Sequence, residues 1–319
     1  MDALYWWGIP TLFRCPHEPD LSKTDIGLVG VPHSTGNGTT QRDQHLGPRS
    51  VRDVSAIGRR VHMKFGFSPW ETCRINDLGD VPLPEGNDNE ASIQRITDFY
   101  RAVEQAGVRP VSIGGDHSIT GGILQALGGS ESHLTGGKKA VIVHFDAHTD
   151  AFHQMDHFLG AKKSAAHWAS YLARNGHVNS EKSVQIGIRG NPRSLNWLQS
   201  SYDLGYEVIT KDRYDELGPA RCIDIIHETI GDEPIYITFD LDCLDPMVAP
   251  GVANIEYCDG FRVNQALEML QSLRGKNIIG GDVVCLMPTV DNPNKITSYV
   301  AMGIMFEIIS LIAERFRKD

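Results

Sequence analysis

Aspartate and histidine occur together in three short segments of this 319-residue chain. The segments read GGDHS at Gly114–Ser118, DAHTD at Asp146–Asp150 and DLD at Asp240–Asp242. In extended backbone, residues two apart point to the same side, so the acidic and imidazole side chains of each segment can converge on one point. Crowded carboxylates repel one another and lose hydration on burial, so such a set calls for compensating cations.

Four carboxylates and two imidazoles suit a pair of divalent ions. The candidate metal ligands are His117, Asp146, His148, Asp150, Asp240 and Asp242. Oxygen and imidazole donors without a thiolate favour Mn, Ni, Co or Fe over a structural zinc site. Alone, GGDH can be a turn with a capping Asp, and DxD pairs also occur in sugar-transfer enzymes and phosphatases. Their recurrence after successive predicted strands favours a metal centre.

The three segments follow short apolar runs that alternate with amphipathic stretches, as in an α/β fold with a mostly parallel sheet. Strands are predicted at Ile26–Val31, Pro110–Ile113, Ala140–Phe145, Ser183–Ile188, Ile235–Phe239 and Asn277–Ile279. Helices are predicted at Pro48–Val61, Ser92–Ala106, Val263–Leu273 and Thr297–Phe316. Ligands of such folds gather at the carboxyl ends of the strands, where the polar segments lie.

Composition narrows the class of protein. With 41% hydrophobic and 22% charged residues and no linker-like stretch, residues 1–319 are expected to form a single domain. The net charge of -10 argues against nucleic acid as a partner. No secretion signal or uninterrupted apolar span is evident, and the six cysteines lack CxxC spacing, so a cytoplasmic location without membrane contact and with reduced thiols is expected.

Several motifs resemble the ureohydrolase family, which includes arginase, agmatinase, guanidinobutyrase and guanidinopropionase. The resemblance covers nearly the whole chain and is nearest to the guanidinobutyrase and guanidinopropionase type. It is carried by GIPTLFR, GLVGVP, LGPRSVR, INDLGDVPL, SIGGDHS, HFDAHTD, QIGIRG, FDLDCLDP and GGDVVCLMP. It implies an arginase-like, three-layer α/β/α fold and trimers or hexamers, either of one chain or of two related ones.

The resemblance also implies a metal-dependent hydrolase that cleaves a carbon-nitrogen bond in a linear amidine. One ion, Mn or Ni, would be held by His117, Asp146, Asp150 and Asp240, and a second by Asp146, His148, Asp240 and Asp242. A hydroxide that forms between two such cations near neutral pH would attack a guanidinium-type carbon. Asp150 would accept a hydrogen bond from that nucleophile.

A family histidine that carries a proton to the leaving nitrogen corresponds loosely to His167, in Ala166–Ala169. The resemblance therefore implies His167 as a catalytic residue, although a structural histidine remains possible at this position. His153 and His157 follow DAHTD closely and compete for the role.

The substrate-facing positions depart from the family pattern. Where family members place a Glu that pairs with the substrate cation, this chain has Cys285, and a thiol is a weak partner for a cation. The segments Thr40–His45 and Val252–Ile255 also differ. Asp43 or Glu256 are candidates for supplying a carboxylate from elsewhere. The predicted substrate contacts are Cys285, His153, Asn254 and Glu256.

A rebuilt pocket around an unchanged set of metal ligands favours an altered substrate. A biguanide is one interpretation, because metformin hydrolases are relatives within the family that work as mixed assemblies with nickel. A standard guanidinobutyrate, guanidinopropionate or agmatine substrate is the alternative. A non-catalytic subunit has no need of six metal ligands, and deacetylases, which share the fold, use one zinc and lack the GGDHS and DxD pairing.

Overall fold

The computed structural model of the protein describes residues 7–38, 41–153, 156–157, 160–257 and 259–317. Its centre is one eight-stranded sheet in the order β2-β1-β3-β8-β7-β4-β5-β6, and every pair of neighbouring strands is parallel. The strands are β1 (Ile26–Val31), β2 (Ile75–Asp80), β3 (Arg109–Gly114), β4 (Val141–Phe145), β5 (Val184–Ile188), β6 (Glu207–Thr210), β7 (Ile235–Asp240) and β8 (Ile278–Val284).

The six predicted strands are all present, and two further strands extend the sheet at its edges. Strand β2 escaped prediction because its sequence, INDLGD, is half polar, and β6 escaped because EVIT is only four residues long. Strand β8 continues beyond Ile279 through Gly280 and Gly281. Glycine normally weakens a strand, but a Cβ on Gly280 would lie 2.9 Å from the carbonyl oxygen of Pro110, so the close approach of β3 requires it.

Helices lie between the strands. They are α1 (Gly47–Ser55), α2 (Pro69–Thr72), α3 (Asn89–Gln105), α4 (Ser118–Leu127), α5 (Trp168–Arg174), α6 (Gln199–Asp203), α7 (Lys211–Ile230), α8 (Val263–Gln271) and α9 (Ile296–Ala313). The four predicted helices are present, although the one predicted to Val61 ends at Ser55, shortly before Gly58 with its φ of +66°. Helix α7 was not predicted because Gly218 and Pro219 interrupt its pattern, and Gly218 is non-helical.

Helix α9 packs into the core of the protein. The helical stretch Ile296–Phe316 is long and apolar enough to cross a bilayer by length and composition alone. Most of it is nevertheless buried, and α9 contacts α1, β3 and β8. This is the environment of a core helix, and core helices can be as long and as apolar as a membrane span.

The sheet order places the Asp- and His-containing segments next to one another. Strands β3, β8, β7 and β4 are consecutive in the sheet, and the three segments follow the carboxyl ends of β3, β4 and β7. Because parallel strands all end at the same edge, these side chains share one end of the molecule. The architecture thus brings together residues that lie far apart in the sequence.

Candidate metal centre

The side chain of His117 is surrounded by three carboxylates. Its Nδ1 atom lies 2.9 Å from Asp146 Oδ2, 3.0 Å from Asp150 Oδ2 and 3.2 Å from Asp240 Oδ2. His117 sits immediately before α4, and all four residues are buried. The arrangement forms an inner metal position, meaning the space between His117 Nδ1 and these three oxygens.

A second group of donors surrounds His148. Its Nδ1 atom lies 3.1 Å from Asp242 Oδ2 and 3.4 Å from Asp146 Oδ1, while its Nε2 atom lies 3.3 Å from Glu256 Oε1. The His148 side chain is 31% exposed, whereas that of His117 is 1% exposed. This group forms an outer metal position, between His148 Nδ1 and the carboxylates of Asp146 and Asp242.

Backbone amides hold the carboxylates of both positions in place. The amide of His148 donates to Asp146 Oδ1 at 2.6 Å, and the amide of Ala147 donates to Asp242 Oδ1 at 3.1 Å. The amide of Asp242 donates in turn to Asp240 Oδ1 at 2.9 Å. Hydrogen bonds to ionised carboxylates are shorter and stronger than neutral ones, so the turns after β4 and β7 orient the oxygens toward one another.

A buried network behind His117 fixes the tautomer of its ring. Thr238 donates its hydroxyl proton to Asp282 Oδ1 at 2.6 Å, so it accepts from His117 Nε2 at 2.8 Å. Tyr236 and Thr120 both donate to Asp282 Oδ2 at 2.8 Å. The proton of the imidazole therefore sits on Nε2, and its Nδ1 lone pair points at the carboxylates.

Two further side chains contact the carboxylates and were missed in the sequence. Gln185 donates to His144 Nδ1 at 3.2 Å, which leaves His144 Nε2 as the donor to Asp146 Oδ2 at 2.8 Å. The indole of Trp168 donates to Asp150 Oδ2 at 2.8 Å. The alternation of side chains in β4 places His144 on the same side as Asp146, and this was the available signal; Trp168 offered none.

The carboxyl groups of the cluster are crowded together in a buried, low-dielectric environment, and this shifts their pKa values. Burial, followed by the neighbouring Asp240, raises the pKa of Asp242 well above its usual value, and burial with Asp146 raises that of Asp150. Burial opposes the charged form of Asp146 as well, but the neighbouring imidazoles of His117, His144 and His148 hold its pKa well below the usual range. Without bound cations, burial and neighbouring carboxylates therefore disfavour the charged forms of Asp242 and Asp150, whereas the imidazoles favour the charged form of Asp146.

The donor set fits divalent ions. None of the oxygens around His117 Nδ1 lies where that buried nitrogen forms a hydrogen bond, so among the described residues its lone pair has no partner. A lone pair facing three carboxylates is repulsive unless a proton or a metal cation lies between them, and although burial opposes this, the carboxylates raise the pKa of His117 well above its usual value. Within the described part of the chain, the ligand atoms that one ion could reach form two groups, namely His117, His144, Asp146 and Asp150, and Asp146, His148 and Asp242. Asp146 belongs to both.

A cavity of about 750 Å³ opens onto this cluster. Its walls include Asn37, Cys285 and the loop residues Asn254 and Glu256, together with Arg189–Arg193. Arg189 joins two of these walls, because its guanidinium donates to the carbonyl oxygens of Asp242, Cys243, Leu244 and Glu256. The cavity is large enough for a small ligand and ends at the candidate metal ligands.

The predicted substrate contacts divide into two groups. Cys285 is 6% exposed, lies near Asp240 and Asp242 and has a left-handed φ of +66°. Burial and these carboxylates raise the pKa of its thiol well above the usual value, so it adds no charge to the cavity. Asn254 and Glu256 also line the cavity. His153, in contrast, is exposed and is not one of the described lining residues.

Of the two residues predicted to supply a carboxylate to the substrate, Glu256 lines the cavity and Asp43 is not among its described lining residues. Glu256 faces the cavity beside His148, and Gly190, whose φ is +101°, leaves room for it; a Cβ there would lie 2.3 Å from Glu256 Oε2. Asp43 accepts a hydrogen bond from Thr289 at 2.8 Å and lies outside the described lining of the cavity. Thr40, the first residue of the segment Thr40–His45 that differs from the family pattern, lies outside the described residues.

His167 is buried and precedes α5. Its Nδ1 atom lies 2.7 Å from Ser164 Oγ, and it is not among the described residues that line the cavity. His157 does line the cavity, with its ring 6.3 Å from that of His167, and so do Ala165 and Ala166. The structure thus places His157 nearer than His167 to the space a substrate would fill.

Known proteins resemble this chain over almost its whole length. A guanidinopropionase from Pseudomonas aeruginosa is 35% identical over 309 residues, which are 96% of this chain and 92% of that protein. A mitochondrial agmatinase from Gallus gallus is 32% identical, with 96% of this chain and 86% of that protein covered. A mitochondrial guanidino acid hydrolase from Homo sapiens is also 32% identical, with coverage of 95% and 82%.

Solved structures show the same fold. The proclavaminate amidino hydrolase from Streptomyces clavuligerus superposes with a TM-score of 0.88 at 27% identity, covering 98% of this chain and 99% of that one. An arginase from Medicago truncatula gives a TM-score of 0.73 at 27% identity, with coverage of 93% and 88%. The Arginase family profile matches residues 24–310. This chain, with its parallel sheet and its cluster of His and Asp at the strand ends, belongs to the arginase family and is a hydrolase of carbon-nitrogen bonds.

Proposed function

We propose that the protein holds two divalent metal ions, Mn or Ni, and hydrolyses a carbon-nitrogen bond of a guanidino-type compound. The observation that carries the proposal is the meeting of three strand ends in one buried cluster, with His117 Nδ1 directed at three carboxylates and His148 Nδ1 at two. Asp146 and Asp240 would contact both ions. Two bound cations would supply charge that lowers the pKa of a water molecule between them.

The side chains around that water have separate roles in the proposal. Asp150 and Asp240 would hold the inner ion together with His117, and Asp242 would hold the outer ion with His148. A carboxylate oxygen of Asp150 would accept a hydrogen bond from the attacking water and orient its lone pair toward the substrate carbon. The carboxylates of both positions are almost fully buried, so their electrostatic interactions are stronger than they would be in water.

Proton delivery to the leaving nitrogen is assigned to His167, with His157 as the competing donor. His167 could act only through an intervening group, because it does not line the cavity among the described residues. His157 lies on the cavity wall. The variants His167→Asn and His157→Asn, compared in turnover against pH, decide between them: the proton donor is the residue whose loss removes the alkaline limb.

Two walls of the cavity indicate two kinds of guanidino substrate. Cys285 is an uncharged, buried side chain near the metal ligands, where a small apolar group of a delocalised cation would pack. This favours a biguanide such as metformin, with an amine as the leaving group. Glu256 would then supply a carboxylate for the substrate cation from the loop after β7.

The far wall supports the second candidate. Arg193 lines the cavity and is exposed, so it could pair with a carboxylate at the other end of a substrate. That arrangement suits a guanidino acid, and two of the relatives are named a guanidinopropionase and a guanidino acid hydrolase. The variant Arg193→Gln should raise KM for a guanidino acid and leave KM for a biguanide or agmatine unchanged.

One experiment tests the function and separates the substrates. Protein loaded with Ni or Mn is incubated with metformin, guanidinobutyrate, guanidinopropionate and agmatine while urea and amine release are followed. The comparison is repeated with Cys285→Glu, which should improve use of a guanidinoalkyl substrate and harm use of a biguanide, because a carboxylate would enter a fitted pocket. Failure of metal-loaded protein to release either product from any of these compounds would overturn the proposal.

The assembly is also a proposal. A trimer or hexamer, of one chain or with a related second subunit, is expected for a cytoplasmic member of this family. Light scattering of the purified chain, with and without metal, gives its oligomeric state. Turnover by the chain alone would show that no second subunit is needed.

A further inference from the structure

Trp168 is the first residue of α5, and its side chain lies directly behind the inner metal position. It is fully buried, and the centre of its ring lies 4.8 Å from that of His117 and 4.9 Å from that of His144. Its one polar atom, Nε1, donates a hydrogen bond of 2.8 Å to Asp150 Oδ2. An indole nitrogen can only donate, so this bond always places a proton against that carboxylate oxygen.

Asp150 is held in an unusual conformation. Its φ of +48° is left-handed, a region that costs free energy for residues other than glycine and persists only where the surroundings enforce it. Its carbonyl oxygen accepts from the amide of Ala169 at 3.1 Å, so α5 contacts both the backbone and the side chain of Asp150. The start of α5 therefore fixes this carboxylate on two sides.

The two oxygens of Asp150 are not equivalent in this arrangement. Oδ2 is the atom that lies 3.0 Å from His117 Nδ1, and it is also the atom that Trp168 contacts. A carboxylate whose Oδ2 is held by the indole cannot rotate without breaking that hydrogen bond. Oδ2 is thereby committed to the inner position, and Oδ1 stays available on the other side of the carboxylate.

We infer that Trp168 is a positioning residue: its indole N–H holds Asp150 Oδ2 toward the inner metal ion and leaves Oδ1 to orient the attacking water. This inference rests on the proposed function. It assigns to α5 a part in the chemistry that is separate from proton delivery by His167, the residue before it. It predicts that removing the N–H, with the aromatic ring kept, weakens both metal binding and turnover.

The variant Trp168→Phe removes the donor and retains an aromatic ring. We expect the affinity of the inner position for Mn to fall about tenfold or more, as for other groups that orient metal ligands, with a lower kcat and an unchanged KM. The matched control is Tyr171→Phe on the same helix. The Tyr171 hydroxyl is buried without a hydrogen-bond partner among the described residues, so its removal should leave metal affinity and kcat unchanged.

A spectroscopic measurement on the unaltered protein keeps the inference testable if Trp168→Phe does not fold. With ¹⁵N-labelled tryptophan, the Nε1–H signal of Trp168 should be protected from exchange and broadened beyond detection by Mn. The Trp70 signal should remain, because that indole donates to Cys15 and stacks near Phe306, away from the predicted ligands. A Trp168 signal unaffected by Mn would overturn the inference.

The outcomes separate this inference from the proposed function. If metal binds and Trp168→Phe matches the unaltered protein in affinity and kcat, Trp168 has no positioning role, although the function stands. If Trp168→Phe loses metal affinity and no guanidino compound is hydrolysed by either protein, the inference stands and the proposed function fails. If neither protein binds metal, both are wrong.

Discussion

The two imidazoles of the cluster are supported in different ways. His117 is backed by Thr238 on β7 and Asp282 on β8, so its partners belong to the sheet and are fully buried. His148 is backed by Glu256, a half-buried residue in the loop that follows β7. One half of the centre is therefore built on central strands and the other half on a loop that also lines the cavity.

The two supports should therefore differ in how well they tolerate substitution. The network around Asp282 is completely enclosed, and its three donors are satisfied by one carboxylate, so it should tolerate few substitutions. The loop with Glu256 has water on one side, so it can change at smaller cost in stability. Four predictions, from the largest expected effect to the smallest, test this comparison.

The largest effect should come from Asp146→Ala, because Asp146 contacts both imidazoles and both candidate positions. We expect metal content to fall from about two ions per chain to less than one and turnover to fall to background. Elemental analysis of the dialysed protein and a turnover assay measure this. Retention of both ions would show that the two positions are independent.

The second prediction concerns the enclosed network. In Asp282→Asn one acceptor oxygen becomes a donor, so hydroxyls of Tyr236, Thr238 or Thr120 lose their acceptor, and the ring of His117 loses its orientation. We expect metal affinity to fall about 10- to 100-fold and unfolding free energy to fall by about 2 kcal/mol. Calorimetric metal titration and chemical denaturation check this. Unchanged metal affinity together with lower stability would make the network purely structural.

The third prediction concerns the loop. Glu256→Gln keeps the shape of the side chain and an oxygen for His148 but removes the charge. Metal affinity should fall less than in Asp282→Asn, by about tenfold at most, while KM for a cationic substrate should rise. Titration and steady-state kinetics on the same preparations give both values. If Glu256→Gln instead lost more metal than Asp282→Asn, the order of the two supports would be reversed.

The smallest effect is expected from Tyr236→Phe. It removes one of the three donors to Asp282 and leaves Thr238 and Thr120 in place. We expect a loss of about 1 kcal/mol in unfolding free energy, with metal affinity nearly unchanged, because the bond from His117 to Thr238 remains. Thermal unfolding of the metal-free and metal-loaded protein separates these quantities. A strong loss of metal would mean that the network acts as one unit.

The alternation of side chains and the apolar runs were sufficient to predict the central strands and the residues that gather at their ends. Strands β3, β4 and β7 are fully buried, so their sequences, RPVSIG, VIVHF and IYITFD, are mostly apolar and are followed by polar turns. The edge strands β2 and β6 carry weaker patterns because one side of each lacks a neighbouring strand. The pattern reports burial, and it fails where burial is partial.

The supports of the cluster could not be predicted in the same way. Asp282 lies beyond Ile279, where the predicted strand ends, and Trp168 lies in a helix too short to show periodicity. Their roles depend on which strands become neighbours, which is a long-range property. His153, near to Asp150 in sequence, lies on the exposed side of its loop, so proximity in sequence did not predict proximity to the cavity.

Arg189 has a consequence for anyone who wishes to redesign the molecule. Its single guanidinium joins the turn after β5 to four carbonyl oxygens in the chain after β7. Two of these oxygens belong to Asp242, a candidate metal ligand, and to Glu256, which lines the cavity. A loop transplanted from a relative into residues 252–257 would need to present a carbonyl at the position of Glu256 to keep this junction closed. Lysine could not replace Arg189 there, because a point charge cannot satisfy four separate acceptors. We therefore expect a grafted loop to fold in this protein only where its backbone preserves the hydrogen bonds of Arg189, whatever substrate it is meant to bind.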